Sequence, residues 1–260
     1  MRYLQPLFKL SSLTVMMTLL QSCQPNEEFY PIPGGDTPSE LNLCQNGSTA
    51  TVICNPLGGD LPGSEARNGL IASLYEGQPN WNHLDRYQAE GYKHPEDIYF
   101  SNFNVPTRAF DQGFGLANDL FLKNQQGDKL IEWFAINAKG YLTLPYSAQE
   151  GFYHVVTISD DGIRIKIDGN MILSNPGVHP PTIDCASQLI ELKRGTDQSF
   201  ELDYFQGPRY HIALITMIKK VDPQSFTLSG LCSTGHGPDA LTQEGYQIIS
   251  PEWFTLPDGY

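Results

Sequence analysis

The stretch TISDDGIRIKIDGNMIL, residues 157–173, decides the fold that we predict for this chain. Ile163, Ile165 and Ile167 alternate with Arg164 and Lys166, which is the period of a strand with one apolar and one wet face. An Asp-Gly pair closes each end of this strand, and such pairs tolerate the positive φ angles of tight turns. The stretch therefore predicts a β-meander of three strands joined by two tight turns.

Asp160 stands directly before the first of these Asp-Gly pairs, so two carboxylates are adjacent at a predicted loop tip. Adjacent carboxylates repel each other unless a cation or a hydrogen-bond donor lies between them. The local turn chemistry does not require Asp160. The pair Asp160 and Asp161 is therefore a candidate binding site, with a purely loop-stabilising role as the alternative.

The composition of the 260-residue chain favours an all-β protein. Only 17% of the residues are charged, glycine, proline, tyrosine and phenylalanine are plentiful, and no long apolar stripe has helical spacing. We expect a helical turn near residues 82–89 and strands at the spacing of a β-sandwich, at residues 70–75, 98–103, 129–135, 140–144, 151–158, 187–192, 199–205 and 211–218. The net charge of −13 provides no basic face for phosphates, which excludes nucleic acid as a partner.

The N-terminus predicts export. Arg2 and Lys9 accompany a short apolar core at residues 10–20, and Leu-Gln-Ser-Cys at residues 20–23 resembles a lipoprotein lipobox ending at Cys23. We expect residues 1–22 to be a lipoprotein signal peptide with a short signal helix, although an ordinary secretory signal followed by a stray cysteine is the alternative. Residues 23–39 predict a proline-rich tether. The mature chain would be lipid-anchored to the cell envelope and, because Gln24 follows Cys23, at the outer membrane where there is one.

The other four cysteines agree with an exported protein, because an oxidising compartment favours disulfides. We favour the pair Cys44–Cys54, because the Asn-Gly-Ser between them can turn the chain back, and then Cys185–Cys232 by exclusion. A four-cysteine zinc site is the alternative, but the close Cys-x-x-Cys pairs of such sites are absent. Residues 40–64 are accordingly predicted to be a small cystine hairpin and linker.

Several short segments of the chain form an ordered series of motifs: GLIASLY at 69–75, Trp133, GYL at 140–142, GFY at 151–153, SDDGIR at 159–164, IDG at 167–169 and ELDYF at 201–205. Together they resemble the PA14 domain, a family named after a fragment of the anthrax protective antigen. Residues 248–251 look like its closing strand, displaced by an insertion at about 221–245 that carries Cys232. The resemblance implies that residues 65–260 form one antiparallel β-sandwich or barrel-like domain.

The resemblance also implies a function, because PA14 domains mostly serve in carbohydrate binding or adhesion. In flocculin-type members, two adjacent aspartates joined by a cis peptide hold a calcium ion that sugar hydroxyls complete, and Asp160 and Asp161 fall on that pair. Calcium binds six to eight oxygen atoms, of which two carboxylates supply at most four. Asn170, Asn175 and the loop 206–210 are candidates for further ligands.

Aromatic rings could give a sugar an apolar stacking face, and Trp81, Tyr92, Tyr204 and Tyr210 lie in or beside predicted loops. Such rings more often fill the interior of an all-β protein. Arg209, or His211, could donate hydrogen bonds to sugar hydroxyls. We therefore predict a ligand-binding site formed by Asp160, Asp161, Tyr204 and Arg209.

The chain shows none of the common catalytic motifs, such as His-Glu-x-x-His or Gly-x-Ser-x-Gly. A glycosidase would need two opposed carboxylates at a defined separation, and nothing in the sequence pairs the acids Glu132, Asp160 and Asp203 in that way. We therefore predict a non-enzymatic module whose partners are a glycan, through a calcium cofactor, and a lipid bilayer, through its acylated N-terminus. A structural subunit of a surface complex, binding a protein partner without metal, is the alternative.

Overall fold

A computed structural model of the chain describes residues 52–54, 67–112 and 123–260, all within one compact unit. The first of its two sheets has eight strands: β1 (Val52–Cys54), β2 (Leu70–Glu76), β3 (Tyr92–Phe100), β5 (Phe134–Leu142), β7 (Ile163–Ile167), β8 (Asn170–Asn175), β11 (Gln198–Gln206) and β14 (Phe254–Thr255). The second has six: β4 (Asn104–Ala109), β6 (Gly151–Asp160), β9 (Thr182–Cys185), β10 (Ile190–Leu192), β12 (His211–Val221) and β13 (Gln247–Ile248).

The first sheet runs in the order β1-β3-β2-β5-β11-β7-β8, with β14 beside β5, and the second runs β10-β6-β12-β13, with β9 beside β6 and β4 beside β12. All pairs are antiparallel except β1 with β3. Neither sheet closes on itself in the described part of the chain, so the all-β sandwich is confirmed and the barrel-like variant is wrong. β1 joins the first sheet, although the sequence placed its residues in a separate cystine hairpin.

Helices are few and short in the described ranges. α1 (Leu84–Glu90) coincides with the predicted helical turn, α2 (Pro238–Gln243) lies in the insertion, and 3-10 turns occupy Phe110–Gln112 and Pro251–Trp253. None of these helices has the length and apolar composition needed to cross a membrane. The predicted signal helix, the tether, Cys23 and Cys44 lie outside the described residues.

Of the three-stranded meander predicted for the opening stretch, only the β7–β8 hairpin forms; the rest of the prediction is wrong, because β6 lies in the second sheet and does not pair with β7. Ile163, Ile165 and Ile167 are buried against the facing sheet, while the intervening basic residues point outward. Burying each isoleucine side chain contributes about 1.5–3 kcal/mol. The turn between β7 and β8 is the predicted tight Asp-Gly turn, because Asp168 and Gly169 have φ angles of 48° and 75°.

The inner faces of the two sheets enclose the main core. Its largest fully buried members are aromatic or leucine side chains, among them Phe100, Phe134, Phe200, Phe254 and Leu70. One segment was divided wrongly from the sequence: in place of the strands predicted at 129–135 and 140–144, the structure has one strand, β5, at Phe134–Leu142. Gly140 lies inside this strand, where a Cβ would come within 2.7 Å of Leu70 and of the Thr255 carbonyl oxygen.

A second apolar layer lies on the outer face of the six-stranded sheet. Val155 of β6 belongs to the main core, so its neighbour Val156 points to the opposite face, where it packs in a cluster with Leu241 and Tyr246. Leu241 and Tyr246 come from the segment that follows β12, which includes α2. The predicted disulfide Cys185–Cys232 is confirmed and ties β9 to this covering segment. Cys54 is also disulfide-bonded, and its predicted partner Cys44 is not described.

Candidate binding site at the Asp160–Asp161 corner

Asp160 ends β6 and Ile163 begins β7, so the aspartate pair forms the corner at which the chain passes from one sheet to the other. The peptide bond between Asp160 and Asp161 is cis. Neither Asp161 nor Gly162 has a positive φ, so the tight turn predicted for this Asp-Gly pair is wrong. Gly162 is needed instead for space, because a Cβ there would clash with the Phe205 ring and come within 2.7 Å of the Pro176 carbonyl carbon.

Asp161 is held by two other chain segments. Its Oδ1 accepts a hydrogen bond from the His179 N–H at 3.1 Å, and its Oδ2 accepts one from the Gly207 N–H at 2.7 Å. The side chain is only 2% exposed. Burial raises the pKa of Asp161 to about 6, and the two N–H donors together with the His179 side chain oppose this rise. Asp161 therefore fixes the segment before β9 and the loop after β11.

Asp160 is also buried, at 5% exposed, but its side chain has different surroundings from that of Asp161. Its backbone carbonyl accepts a hydrogen bond from the Tyr204 hydroxyl at 2.6 Å, but its carboxylate accepts none from any described residue. Burial, and then the charge of Asp161, raise the pKa of Asp160 to about 8. The corner thus contains one carboxylate with hydrogen-bond partners and one without.

Tyr204, which the sequence suggested as a ligand contact, is fully buried and cannot touch a bound sugar. Its hydroxyl lies 2.8 Å from Gln206 Oε1 as well as 2.6 Å from the Asp160 carbonyl, and Gln206 Nε2 donates to the His211 carbonyl at 2.9 Å. Tyr204 is therefore a positioning residue beneath the corner. Its inward direction follows from β11, where Leu202 and Tyr204 share the core face.

Arg209 lies in the loop that follows β11, whose Gly207 contacts Asp161. The Arg209 guanidinium is exposed, lies 3.4 Å from Glu132 Oε1 and stacks 5.7 Å from the centre of the Phe110 ring. Tyr210 beside it is 80% exposed, and its carbonyl accepts a hydrogen bond from the Phe110 N–H. These are the polar and aromatic groups that the loop presents to solvent.

The other aromatic candidates are not part of this corner. Trp81 is buried in a cluster with Tyr87 and Phe205, and Tyr92 stacks edge-on against His94 on β3. Sequence reasoning missed His179, whose contribution is a backbone N–H and does not depend on side-chain type. Gly207 lies in the candidate loop 206–210, but it donates a backbone N–H to Asp161 and was expected there only as part of a loop that could supply oxygens to a cation.

The predicted amide ligands are not placed at the carboxylates. Asn170 follows the Asp168–Gly169 turn, at the opposite end of β7, and the Asn175 amide donates to both oxygens of Asp184. No group of three or more His, Cys, Asp or Glu side chains in the described ranges is arranged to hold a metal. Any oxygens beyond those of Asp160 and Asp161 would have to come from the backbone, from water or from a ligand.

The chemistry of the pair nevertheless fits a hard cation such as calcium. Two buried carboxylates supply up to four oxygens, and the one without a donor has its pKa raised, so a cation would relieve the repulsion that opposes ionisation. The hydrogen bonds to Asp161 occupy one lone pair of each oxygen and leave the other available.

No protein-family model and no curated protein matches the sequence. Several solved structures are similar to this chain, among them the following three. An anti-sigma factor domain-containing protein has a TM-score of 0.44 and 16% identity over 75% of this chain and 50% of its own length, so the chain spans half of that protein.

A PA14 sugar-binding domain from an RTX adhesin has a TM-score of 0.46 and 15% identity, over 74% of this chain and 99% of the domain. The A domain of epithelial adhesin 6 from Candida glabrata, in complex with Galβ1-3GlcNAc, has a TM-score of 0.39 and 13% identity, over 80% of this chain and 97% of its own. The chain is thus similar in fold to PA14 domains.

Proposed function

We propose that this chain is a carbohydrate-binding or adhesion module whose Asp160–Asp161 corner binds calcium. The observation that carries the proposal is the Asp160 carboxylate, which is almost completely buried, adjacent to a second carboxylate, and without a hydrogen-bond donor among the described residues. An uncompensated buried carboxylate is costly to ionise, so the arrangement calls for a cation. When bound, calcium supplies open coordination positions that vicinal sugar hydroxyls can fill.

The residues of this chain have separate functions in the proposed site. The carboxylates of Asp160 and Asp161 would hold the ion, and Tyr204 would fix the Asp160 backbone from below. The loop carrying Arg209 and Tyr210 is tied to Asp161 through Gly207, so its guanidinium and its exposed ring would lie beside the bound sugar. The resemblance described above leads to the same class of ligand.

Calorimetric titration of calcium into the purified protein tests the metal site. We expect the wild type to bind calcium and Asp160→Asn to lose most of its affinity. The control Asp222→Asn, which removes an exposed acid elsewhere, should bind as the wild type does, because the overall charge of −13 can attract cations weakly. A glycan array with and without chelator then tests the sugar. Equal calcium binding by wild type and Asp160→Asn would refute the proposed site.

A second candidate function has one observation in its favour. Asp161 is already satisfied by two backbone N–H groups, so the corner could be purely architectural and the domain could be a structural subunit that binds a protein partner. In that case calcium titration and the glycan array would both give no signal. A glycan-cleaving enzyme would release sugar from the bound polysaccharide, and we expect no such release.

We further propose that the protein is exported and lipid-anchored through Cys23, at the outer membrane where the cell has one. The support is the basic and apolar leader that ends at Ser22-Cys23. Labelling cells with a fatty-acid analogue should mark the wild type but not Cys23→Ser. Equal labelling of both proteins would refute lipidation at this residue.

A further inference from the structure

A cavity of about 460 Å³ opens beside the loop that carries Arg209. Its volume lies within the range of small-molecule sites. Three acids, Glu76, Asp128 and Glu132, line it together with Lys129, Trp133 and Arg209. The loop from Gly207 to Arg209 connects the cavity to the aspartate corner, because Gly207 contacts Asp161 and Arg209 lines the cavity.

Glu76 is the most constrained of these acids. It is the last residue of β2 and only 6% exposed, and its Oε2 lies 3.3 Å from His94 Nε2 and accepts the Gln125 N–H at 2.9 Å. Both contacts go to Oε2, so among the described residues Oε1 has no hydrogen-bond partner. A buried carboxylate is thereby held in one orientation in the cavity wall, with one oxygen available to a ligand.

Both cations of the cavity lining already have partners, one of them inside the lining and one outside it. The Arg209 guanidinium pairs with Glu132, and the Lys129 ammonium donates to the backbone carbonyl of Asp111. Three acids against two bases leave the lining with a net negative charge. A cationic donor on a ligand would therefore be attracted to the cavity and could form a charge-assisted hydrogen bond with Glu76 Oε1.

We propose that this cavity is a second binding site, which takes a sugar unit bearing a free amino group and is anchored by Glu76. The choice of a sugar over other amines rests on the proposed function. The ammonium group would donate to Glu76 Oε1, and the sugar hydroxyls would meet the polar side chains of Asp128 and Glu132. This site needs no calcium, because it uses none of the carboxylates of the aspartate corner.

The test measures binding of glucosamine, N-acetylglucosamine and glucose to the full-chain protein by ligand-observed NMR in the presence of chelator. We expect glucosamine to bind about tenfold or more tightly than the two neutral sugars, because only it forms the charge-assisted hydrogen bond. Asp160→Asn should bind glucosamine as the wild type does. This separates the cavity from the calcium site, whose signals vanish with chelator.

Glu76→Gln keeps the shape of the side chain and should weaken glucosamine binding about tenfold or more. The control Glu191→Gln, an exposed acid on β10, should leave it unchanged. Equal affinity of the wild type for glucosamine and glucose would overturn the proposal, even if Glu76→Gln failed to fold. Binding of Nα-acetyl-lysine amide without binding of glucosamine would also overturn it and would indicate a protein side chain as the occupant.

Discussion

The unpartnered carboxylate of Asp160 should make the stability of the calcium-free protein depend on pH in a direction opposite to that of most acids. Its pKa is about 8 in the folded protein, compared with an ordinary value of 3.8. Between these values the native state binds more protons than the unfolded state, so the free energy of unfolding falls as the pH rises. Asp160→Asn removes this titration while keeping the size of the side chain.

The size of this pH effect on the free energy of unfolding follows from the linkage between proton binding and stability. A site that is protonated in the native state and ionised in the unfolded state changes the stability by about 1.4 kcal/mol per pH unit. Between pH 5 and pH 7, Asp160→Asn should therefore gain about 3 kcal/mol over the wild type. The measurement is urea unfolding at several pH values in the presence of chelator, with tryptophan fluorescence as the readout.

Two comparisons make this prediction refutable. Ser225 and Gln224 hydrogen bonds lower the pKa of the exposed Asp222, so the effect of Asp222→Asn should be constant between pH 5 and pH 7. If the difference between wild type and Asp160→Asn is also constant over this range, the carboxylate is not held as described. Calcium at about a hundred times its dissociation constant should stabilise the wild type by about 2.7 kcal/mol, and the variant far less.

Three further substitutions test the supports of the corner and of the second apolar layer. Gly162→Ala should lower the free energy of unfolding by about 1–3 kcal/mol, because its Cβ would clash with the Phe205 ring. The control Gly177→Ala, whose Cβ meets nothing within 4 Å, should change the free energy of unfolding little. Similar melting temperatures of the two variants would contradict this packing. Tyr204→Phe and Tyr99→Phe each remove a buried hydrogen bond from a tyrosine hydroxyl to a backbone carbonyl, and each should lower the free energy of unfolding by about 1–2 kcal/mol. Only Tyr204→Phe should weaken calcium binding. Removing Cys185–Cys232, which closes a separation of 47 residues, should lower the free energy of unfolding by about 4 kcal/mol, and an unchanged urea midpoint would show that the covering segment needs no tether.

The parts of the fold that follow from local chemistry could be predicted from the sequence. Alternation of isoleucine with basic residues located β7, and Asp168-Gly169 located its turn, because both signals depend only on neighbouring residues. The disulfide Cys185–Cys232 followed by exclusion, once Cys23 was set aside and the Asn-Gly-Ser segment favoured the pair Cys44–Cys54. The second apolar layer could not be predicted in this way, since Leu241 and Tyr246 find their partners on strands far away in the sequence.

Only some residues of the candidate site could be predicted from the sequence. Asp160 and Asp161 were identified because an extra carboxylate at a turn has no local explanation. Tyr204 was misassigned because a ring on a strand next to a loop can face either the core or the solvent, and only the register of β11 decides between them. The donors to Asp161 are backbone groups, which no residue type announces.

The contrast between the two aspartates argues that the corner is built to receive a charge. Asp161 joins two loops through N–H donors, and these contacts offset part of the cost of burying it. Asp160 receives no such compensation from any described residue, although its backbone is fixed by Tyr204. If the corner served only to hold the loops, an asparagine or a serine at position 160 could keep the same backbone without an uncompensated carboxylate. An acid at this position therefore makes physical sense when a cation binds there, which is why the calcium titration of Asp160→Asn is decisive for the proposed function.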